Sequence, residues 1–397
     1  GGGLARMRTR ARTRRVRRVG TFGVVICGGG VAAVEGMLRL RRFAGERVQI
    51  TLLAPNDELV YRPLAVHEAV AFGRTRRYPL RDIARDCDAE WVKDVVASVD
   101  TRERAVQTGE GRRLSYDALL VAVGGRQMAD HEHVLTFRDA EAGRLYERVI
   151  EDVEDEHARG VAFLVPEGPV YPLPAYELAL LTAERARRAN VEGLALYLVT
   201  PEPAPLAAFG GSAGAVVGGL LVDAGIEVFT SATAFVPRPR TLLVQPQGVE
   251  LAPDRIVAMP RITGPGIAGL PGGGPYGFIP IDPRCAVPGT AGRVFAAGDA
   301  TTFPIKHGGV GSQQADTAAA AIARLAGADA EAARFRPEVR GKLLTGGKPL
   351  YLSARLVGVQ GFDAQVFDTP PWPVDDKIVA EELGPYLAGV DGRTGAL

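Results

Sequence analysis

Gly28-Gly29-Gly30-Val31-Ala32-Ala33 follows directly on an apolar run, Thr21 to Cys27, and opens a stretch with helical spacing. Small residues at that spacing suit one task. Gly28 permits a tight turn, Gly30 lets a phosphate approach the backbone, and Ala33 lets the helix lie close to the strand. The helix start adds free N–H groups and partial positive charge, so pyrophosphate binding is the chemistry expected. The acid that usually holds ribose hydroxyls is missing, because the second strand ends Leu53-Ala54-Pro55 and leaves only Asn56 or Asp57. Far downstream, Val294-Phe-Ala-Ala-Gly298-Asp299 ends a strand in a carboxylate at a bend, where a polyol could approach. Pro304-Ile-Lys306-His307-Gly308-Gly309 then leads into a helix, whose first amides could donate to an electron-rich ring edge. Lys306 and His307 are the candidate catalytic residues, His307 because imidazole titrates near neutrality. The bland alternative is an Asx-turn and a plain helix cap. His131-Glu-His133 reads as a solvated pair, and no metal site is expected.

The elements that must hold these residues follow from periodicity. A strand at 21–27, a helix at 31–43 and a strand at 48–53 make a βαβ unit. Trp91 to Val99 and Ala105 to Thr108 read as strands of a small antiparallel excursion, and Leu119 to Val123 as a buried strand ending in Gly124. A helix over 140–159 leads to a second α/β pattern. It has strands at 161–165, 194–200, 227–230 and 256–258, with helices at 176–188 and 213–224. The chain then returns to the Gly298-Asp299 strand, a helix at 313–325 and a tail whose last helix is expected near 375–383. The fold class expected is α/β, with two Rossmann-like domains, the second inserted into the first, and a small C-terminal domain. The boundaries expected are a disordered arginine-rich leader at 1–19, a split first domain at 20–135 with 256–328, an inserted domain at 136–255 and a tail at 329–397.

Composition narrows the function classes. The 47 basic residues, eight of them in the arm from Arg6 to Arg18, face 46 acidic ones, so the body itself is acidic. That argues against a nucleic-acid surface or an anionic membrane. No apolar run is long enough for a transmembrane segment, and nothing near the start reads as a signal peptide. Cys27, Cys87 and Cys285 lie far apart without a CxxC pair, which fits a reducing, cytoplasmic setting.

Three stretches taken together carry a resemblance: Gly28–Gly30, Ser115-Tyr-Asp-Ala-Leu-Leu-Val-Ala-Val-Gly124 and Ala296-Ala-Gly-Asp-Ala-Thr301. They resemble the pyridine nucleotide–disulfide oxidoreductase superfamily, and within it the sulfide:quinone oxidoreductase and type II NADH dehydrogenase branch. The likeness runs on through Phe303-Pro-Ile-Lys-His-Gly-Gly-Val-Gly-Ser-Gln-Gln-Ala-Asp316, Lys342-Leu-Leu-Thr-Gly-Gly347 and Trp372-Pro-Val-Asp-Asp-Lys-Ile378. It implies FAD as cofactor, with Gly28 and Gly30 at its pyrophosphate, Val96 at the adenine and Asp299 at the ribityl chain. Gly298 turns the chain there. Gly308, Gly309 and Val310 would face the pyrimidine edge, and Arg62 and Pro63 would lie along the cofactor. Pro55 and Gly124, at their strand ends, complete the set. The departures are informative. Where NADH-using relatives carry a second glycine fingerprint, this chain has Val170-Tyr-Pro-Leu-Pro-Ala-Tyr-Glu177, with Val170 and Pro172 at the glycine positions. None of the cysteines falls where sulfide-oxidising relatives place a redox pair. The expectation is an FAD-dependent oxidoreductase with a small-molecule donor and a quinone-like acceptor, and a homodimer as a candidate assembly. An NAD(P)H dehydrogenase with atypical nicotinamide binding and a flavin-binding redox sensor without turnover stay open.

Overall fold

Short apolar runs rich in Val, Ile and Leu, bounded by Gly and Pro, can bury both faces only inside a covered parallel sheet. The computed structural model, which describes residues 21–70, 74–138, 140–331, 333–357 and 361–394, contains two such sheets. The arginine-rich leader lies outside the described residues. In the first sheet the strands run Val294–Ala296, Ala118–Val121, Phe22–Cys27, Val48–Ala54 and Glu90–Lys93, all parallel. In the second they run Leu135–Thr136, Arg255–Ala258, Gly160–Leu164, Ala195–Val199 and Ile226–Phe229, again all parallel. A three-stranded antiparallel sheet, Glu338–Leu343, Leu350–Val357 and Gly361–Phe367, follows in the tail. The α/β class with two Rossmann-like units and a small C-terminal unit is therefore the fold.

Eight helices connect and cover these strands among the described residues: α1 (Val31–Ala44), α2 (Ala65–Ala69), α3 (Leu80–Asp86), α4 (Ala140–Glu154), α5 (Leu173–Arg188), α6 (Gly210–Asp223), α7 (Gly308–Leu325) and α8 (Leu383–Thr394). Register explains where a ligand can sit. Cys27 pairs with Val121, and Val121 with Ala296. The turns that follow, at Gly28, Gly124 and Gly298, therefore share the carboxyl edge of one sheet, the usual ligand-binding edge of such folds. Helices α1 and α7 pack side by side on the same face through small residues, and Ala32 touches both Gly298 and Gly311.

Several expected bounds are corrected. Trp91–Val99 is two strands. Glu90–Lys93 joins the edge of the parallel sheet, and Val96–Asp100 starts an antiparallel sheet with Ala105–Thr108 and Arg113–Ser115. The break is Asp94, whose carboxylate accepts the amides of Val95 (2.7 Å) and Glu110 (3.1 Å) and so turns the chain. Helix α5 begins at Leu173, because Pro174 is tolerated in a first turn, and α7 begins at Gly308 rather than Gln313. The segment 375–382 is not helical. Its amides go to side chains instead of i−4 carbonyls: Lys377 to Asp376, Ile378 to the Tyr61 hydroxyl, and Glu382 to Glu35.

Candidate functional site

The strand Phe22–Cys27 feeds the glycine turn, and the Gly28 amide donates to the Leu53 carbonyl at 2.8 Å. Gly28 has φ +128, and a Cβ there would stand 2.1 Å from the Ala122 carbonyl oxygen, so only glycine fits. Gly30 caps α1 with open space around it. No side chain caps that helix, and its first turn carries no acid. The orphan amides of α1 thus face free volume with the helix dipole behind them, an anion site of the pyrophosphate type. Ala33 is fully buried beneath the turn.

Opposite lies the Gly298-Asp299 turn. Gln314 of α7 holds it by accepting the Gly298 amide at 2.7 Å. Among the described residues the Asp299 carboxylate has no hydrogen-bond partner. Burial raises its pKa, against the pull of the Lys306 and Arg62 charges. An unpartnered, desolvated carboxylate beside two cations and across from uncapped amides fits a ligand with hydroxyls at one end and phosphates at the other. FAD has that pattern.

Lys306 is buried, not on the surface. Its ammonium donates to the carbonyls of Thr301 (2.5 Å) and Asp299 (3.4 Å) and lies 3.6 Å from the centre of the Phe278 ring. Burial lowers its pKa to about 8, with Asp299 opposing the shift. His307 is held at the start of α7. Its Nδ1 accepts the Gly309 amide at 3.0 Å, so it caps α7, and its ring packs edge-on against Tyr171 and Phe209. Burial and then the Lys377 charge lower its pKa to about 4, which leaves the imidazole neutral near pH 7. One of the α7 amides expected to face a ligand is thereby occupied, and the Val310 side chain is in the core.

The other expected residues are placed as follows. Arg62 and Pro63 form a short 3-10 turn, Arg62–Leu64, whose arginine charge reaches Asp299. Gly124 has positive φ beyond the strand Ala118–Val121, Pro55 is exposed at its strand end, and Val96 is half-buried at the start of Val96–Asp100. Asp57 makes an exposed ion pair with Lys93. His131 is packed near Asp130 rather than solvated, and Asp130 in turn binds Arg261. Among the described residues no group of three or more His, Cys, Asp or Glu could hold a metal.

Sequence reasoning missed the strap that crosses this region. Lys377 donates to both oxygens of Glu177 at 2.6 Å, and both side chains are buried. Glu177 also accepts the Leu344 amide. Asp376 pairs with Arg76, and Ile378 lies over Gly308. Glu35 of α1 accepts the amides of Glu382 and Leu383, and its charge helps raise the pKa of Asp316 on α7. The segment Trp372–Ile378 was visible as a motif, but its partners were not.

The second sheet carries the same strand-turn-helix plan with its opening filled. Gly168 has φ +90, and a Cβ there would meet the Tyr276 hydroxyl at 2.6 Å. Pro172 stands at the start of α5 and Pro174 within its first turn, so donors are lost where a phosphate would need them. Glu202, beyond the strand Ala195–Val199, stands where an acid would grip a ribose. It is held instead by the Tyr176 hydroxyl (2.6 Å), the Thr200 hydroxyl (3.0 Å) and the Ala207 amide (3.0 Å).

Residues 22–158 match the family described as pyridine nucleotide-disulphide oxidoreductase. The sulfide-quinone reductase of Aquifex aeolicus is 22% identical over 298 residues, which cover 71% of this chain and 69% of that protein. The crystal structure of sulfide:quinone oxidoreductase from Aquifex aeolicus superposes with a TM-score of 0.77 at 19% identity, covering 88% of this chain and 87% of that one. A ferredoxin reductase from Rhodopseudomonas palustris superposes with a TM-score of 0.66 at 19% identity, covering 87% and 88%. Among the described residues no helix is long and apolar enough to cross a membrane. Residues 22–158 thus form a pyridine nucleotide-disulphide oxidoreductase domain, and the chain is an FAD-dependent oxidoreductase with the fold of sulfide:quinone oxidoreductase.

Proposed function

We propose that this protein passes electrons from a small-molecule donor other than NAD(P)H, through FAD, to a quinone-like acceptor in the cytoplasm. The observation that carries the reading is the filled second turn: Tyr276 lies against Gly168, Val170 and Pro172 stand where a second fingerprint would have glycines, and Glu202 is already bonded. The relatives named sulfide-quinone reductase support the choice of acceptor. We assign residues 20–135 with 256–328 to a split FAD domain, 136–255 to an inserted second unit and 329–397 to a C-terminal unit.

When bound, FAD supplies the two-electron chemistry. The chain's part is binding and tuning. The amides of α1 and the turn Gly28–Gly30 hold the pyrophosphate, and Asp299 accepts from ribityl hydroxyls. Lys306 places a desolvated positive charge beside the Gly298-Asp299 turn, where it favours negative charge on a neighbouring ring edge. The three cysteines are buried and take no part.

An anaerobic stopped-flow experiment on the FAD-loaded protein tests this. Submillimolar NADH or NADPH should leave the flavin colour in place. After dithionite reduction, a water-soluble quinone should restore it faster than dissolved oxygen does. Rapid stoichiometric bleaching by NADH would overturn the reading.

A further inference from the structure

We propose that a cavity beside Lys306 is the seat of a small planar aromatic monoanion. The cavity holds about 260 Å3, and its walls come from three separate segments: Pro169, the loop 273–278 with Tyr276 and Phe278, and the run Thr302–Lys306 with Phe303. Its size is below the roughly 300–1,000 Å3 of pockets that take drug-sized ligands, so it admits about one substituted ring and excludes a dinucleotide. None of the glycine turn, Asp299 or Gly308–Val310 lines it, and Lys306 is its single residue in common with the cofactor set.

The lining specifies the occupant. Rings and prolines make the walls apolar and flat, which suits a planar body. One cation, Lys306, is among the lining residues. The Lys306 ammonium donates to the carbonyls of Thr301 and Asp299 and lies 3.6 Å from the centre of the Phe278 ring, and among the described residues no carboxylate hydrogen-bonds to it. An ammonium in so apolar a wall gains most from an anionic acceptor, because a charge-assisted hydrogen bond is about twice as strong as a neutral one. The origin of the cavity is also on the second unit's turn. Tyr276 packs against Gly168 and also lines this cavity. Taking its occupant as the electron donor rests on the function proposed above, whereas the binding itself does not.

Calorimetric titration of the FAD-loaded protein with sodium benzoate and with benzamide, its neutral isostere, tests the assignment. Benzoate should bind at one site about tenfold more tightly than benzamide or better. Lys306→Met should bring the two to equal affinity. Thr302→Trp, which fills the exposed mouth without touching Lys306, should abolish both while FAD content is unchanged. Equal affinities in the unsubstituted protein, no saturable benzoate binding at millimolar concentration, or benzoate binding that survives Thr302→Trp would each overturn it. Saturable benzoate binding in a protein whose flavin passes nothing to quinone would keep the cavity and sink the redox reading, so the two failures are distinct.

Discussion

The two parallel sheets of this protein each send a strand into a turn and a helix, and they put that shared plan to opposite use. At Gly28–Gly30 the turn is bare, α1 is uncapped and the space above its amides is open. At 165–172 the equivalent turn carries Val170, Tyr171 and Pro172, lies under Tyr276, and runs into a helix whose Glu177 is pinned to Lys377. The lesson is that topology supplies a potential anion site at the carboxyl edge of a sheet. Side chains of a few atoms then decide whether the site stays open. In the second unit the same edge becomes an anchor for the C-terminal strap.

One expected effect breaks this comparison directly. Gly28→Ala and Gly168→Ala place the same methyl at positive φ in the two turns, 2.1 Å from a backbone oxygen in one and 2.6 Å from a hydroxyl in the other. Gly28→Ala should lower FAD affinity by about tenfold or more, at least ~1.4 kcal/mol, while Gly168→Ala should cost stability and leave FAD content intact. Flavin absorbance per protein, with circular dichroism to confirm folding, reads both. Loss of FAD from Gly168→Ala alone would reverse the roles assigned to the turns.

Next comes the anchor. Lys377→Met leaves a buried Glu177 without its counter-charge and should cost about 3–5 kcal/mol in denaturant unfolding. Glu177→Gln combined with Lys377→Met should regain most of that, because neither charge is then stranded. Additive losses in the double variant would show that the pair is not coupled.

A smaller effect concerns the point where the strap meets the first unit. Asp316 faces Glu35, Arg39 and Glu381, and burial with the Glu35 charge raises its pKa to about 9. The folded protein therefore keeps a proton that the unfolded carboxyl gives up near pH ~4. This stability is full below that pH and is lost as pH rises through about 9. Asp316→Asn keeps a donor toward Glu35 without the titration. Its advantage in thermal unfolding should grow from pH 5 to pH 8, reaching on the order of 1–3 kcal/mol. An advantage independent of pH would remove the shared proton.

The smallest effect is expected from sulfur. Burial pushes the Cys27 thiol up to about 12 and the Cys87 thiol up to about 11, and raises Cys285 as well. Replacing all three by serine should leave FAD content and flavin reducibility unchanged, with a loss of about 1–3 kcal/mol where buried hydroxyls lack partners. A long-wavelength thiolate–flavin band that disappears in one variant would contradict this.

The sequence by itself determined the local chemistry of both turns. Gly28, Gly30 and Asp299 carry their meaning in residue type and immediate context, because a phosphate or a polyol is met there by backbone and by one side chain. Val170 and Pro172 could be read as departures from a second glycine fingerprint for the same reason: a Cβ or a missing N–H acts where it stands. The cofactor and the fold class were legible on those grounds. The bounds at Asp94 and at 375–382 were not, since each depends on amides captured by side chains from elsewhere. Tertiary structure alone decided that Lys377 meets Glu177, that the Glu35 charge on α1 raises the pKa of Asp316 on α7, and that Tyr276 lies on Gly168. It also made His307 the cap of α7 and buried Lys306 against Phe278. Each of these pairings depends on where separate elements come to rest when two sheets and a strap pack together. Burial then sets the charge, the hydrogen bonds and the free space each residue keeps, and no local spacing encodes that.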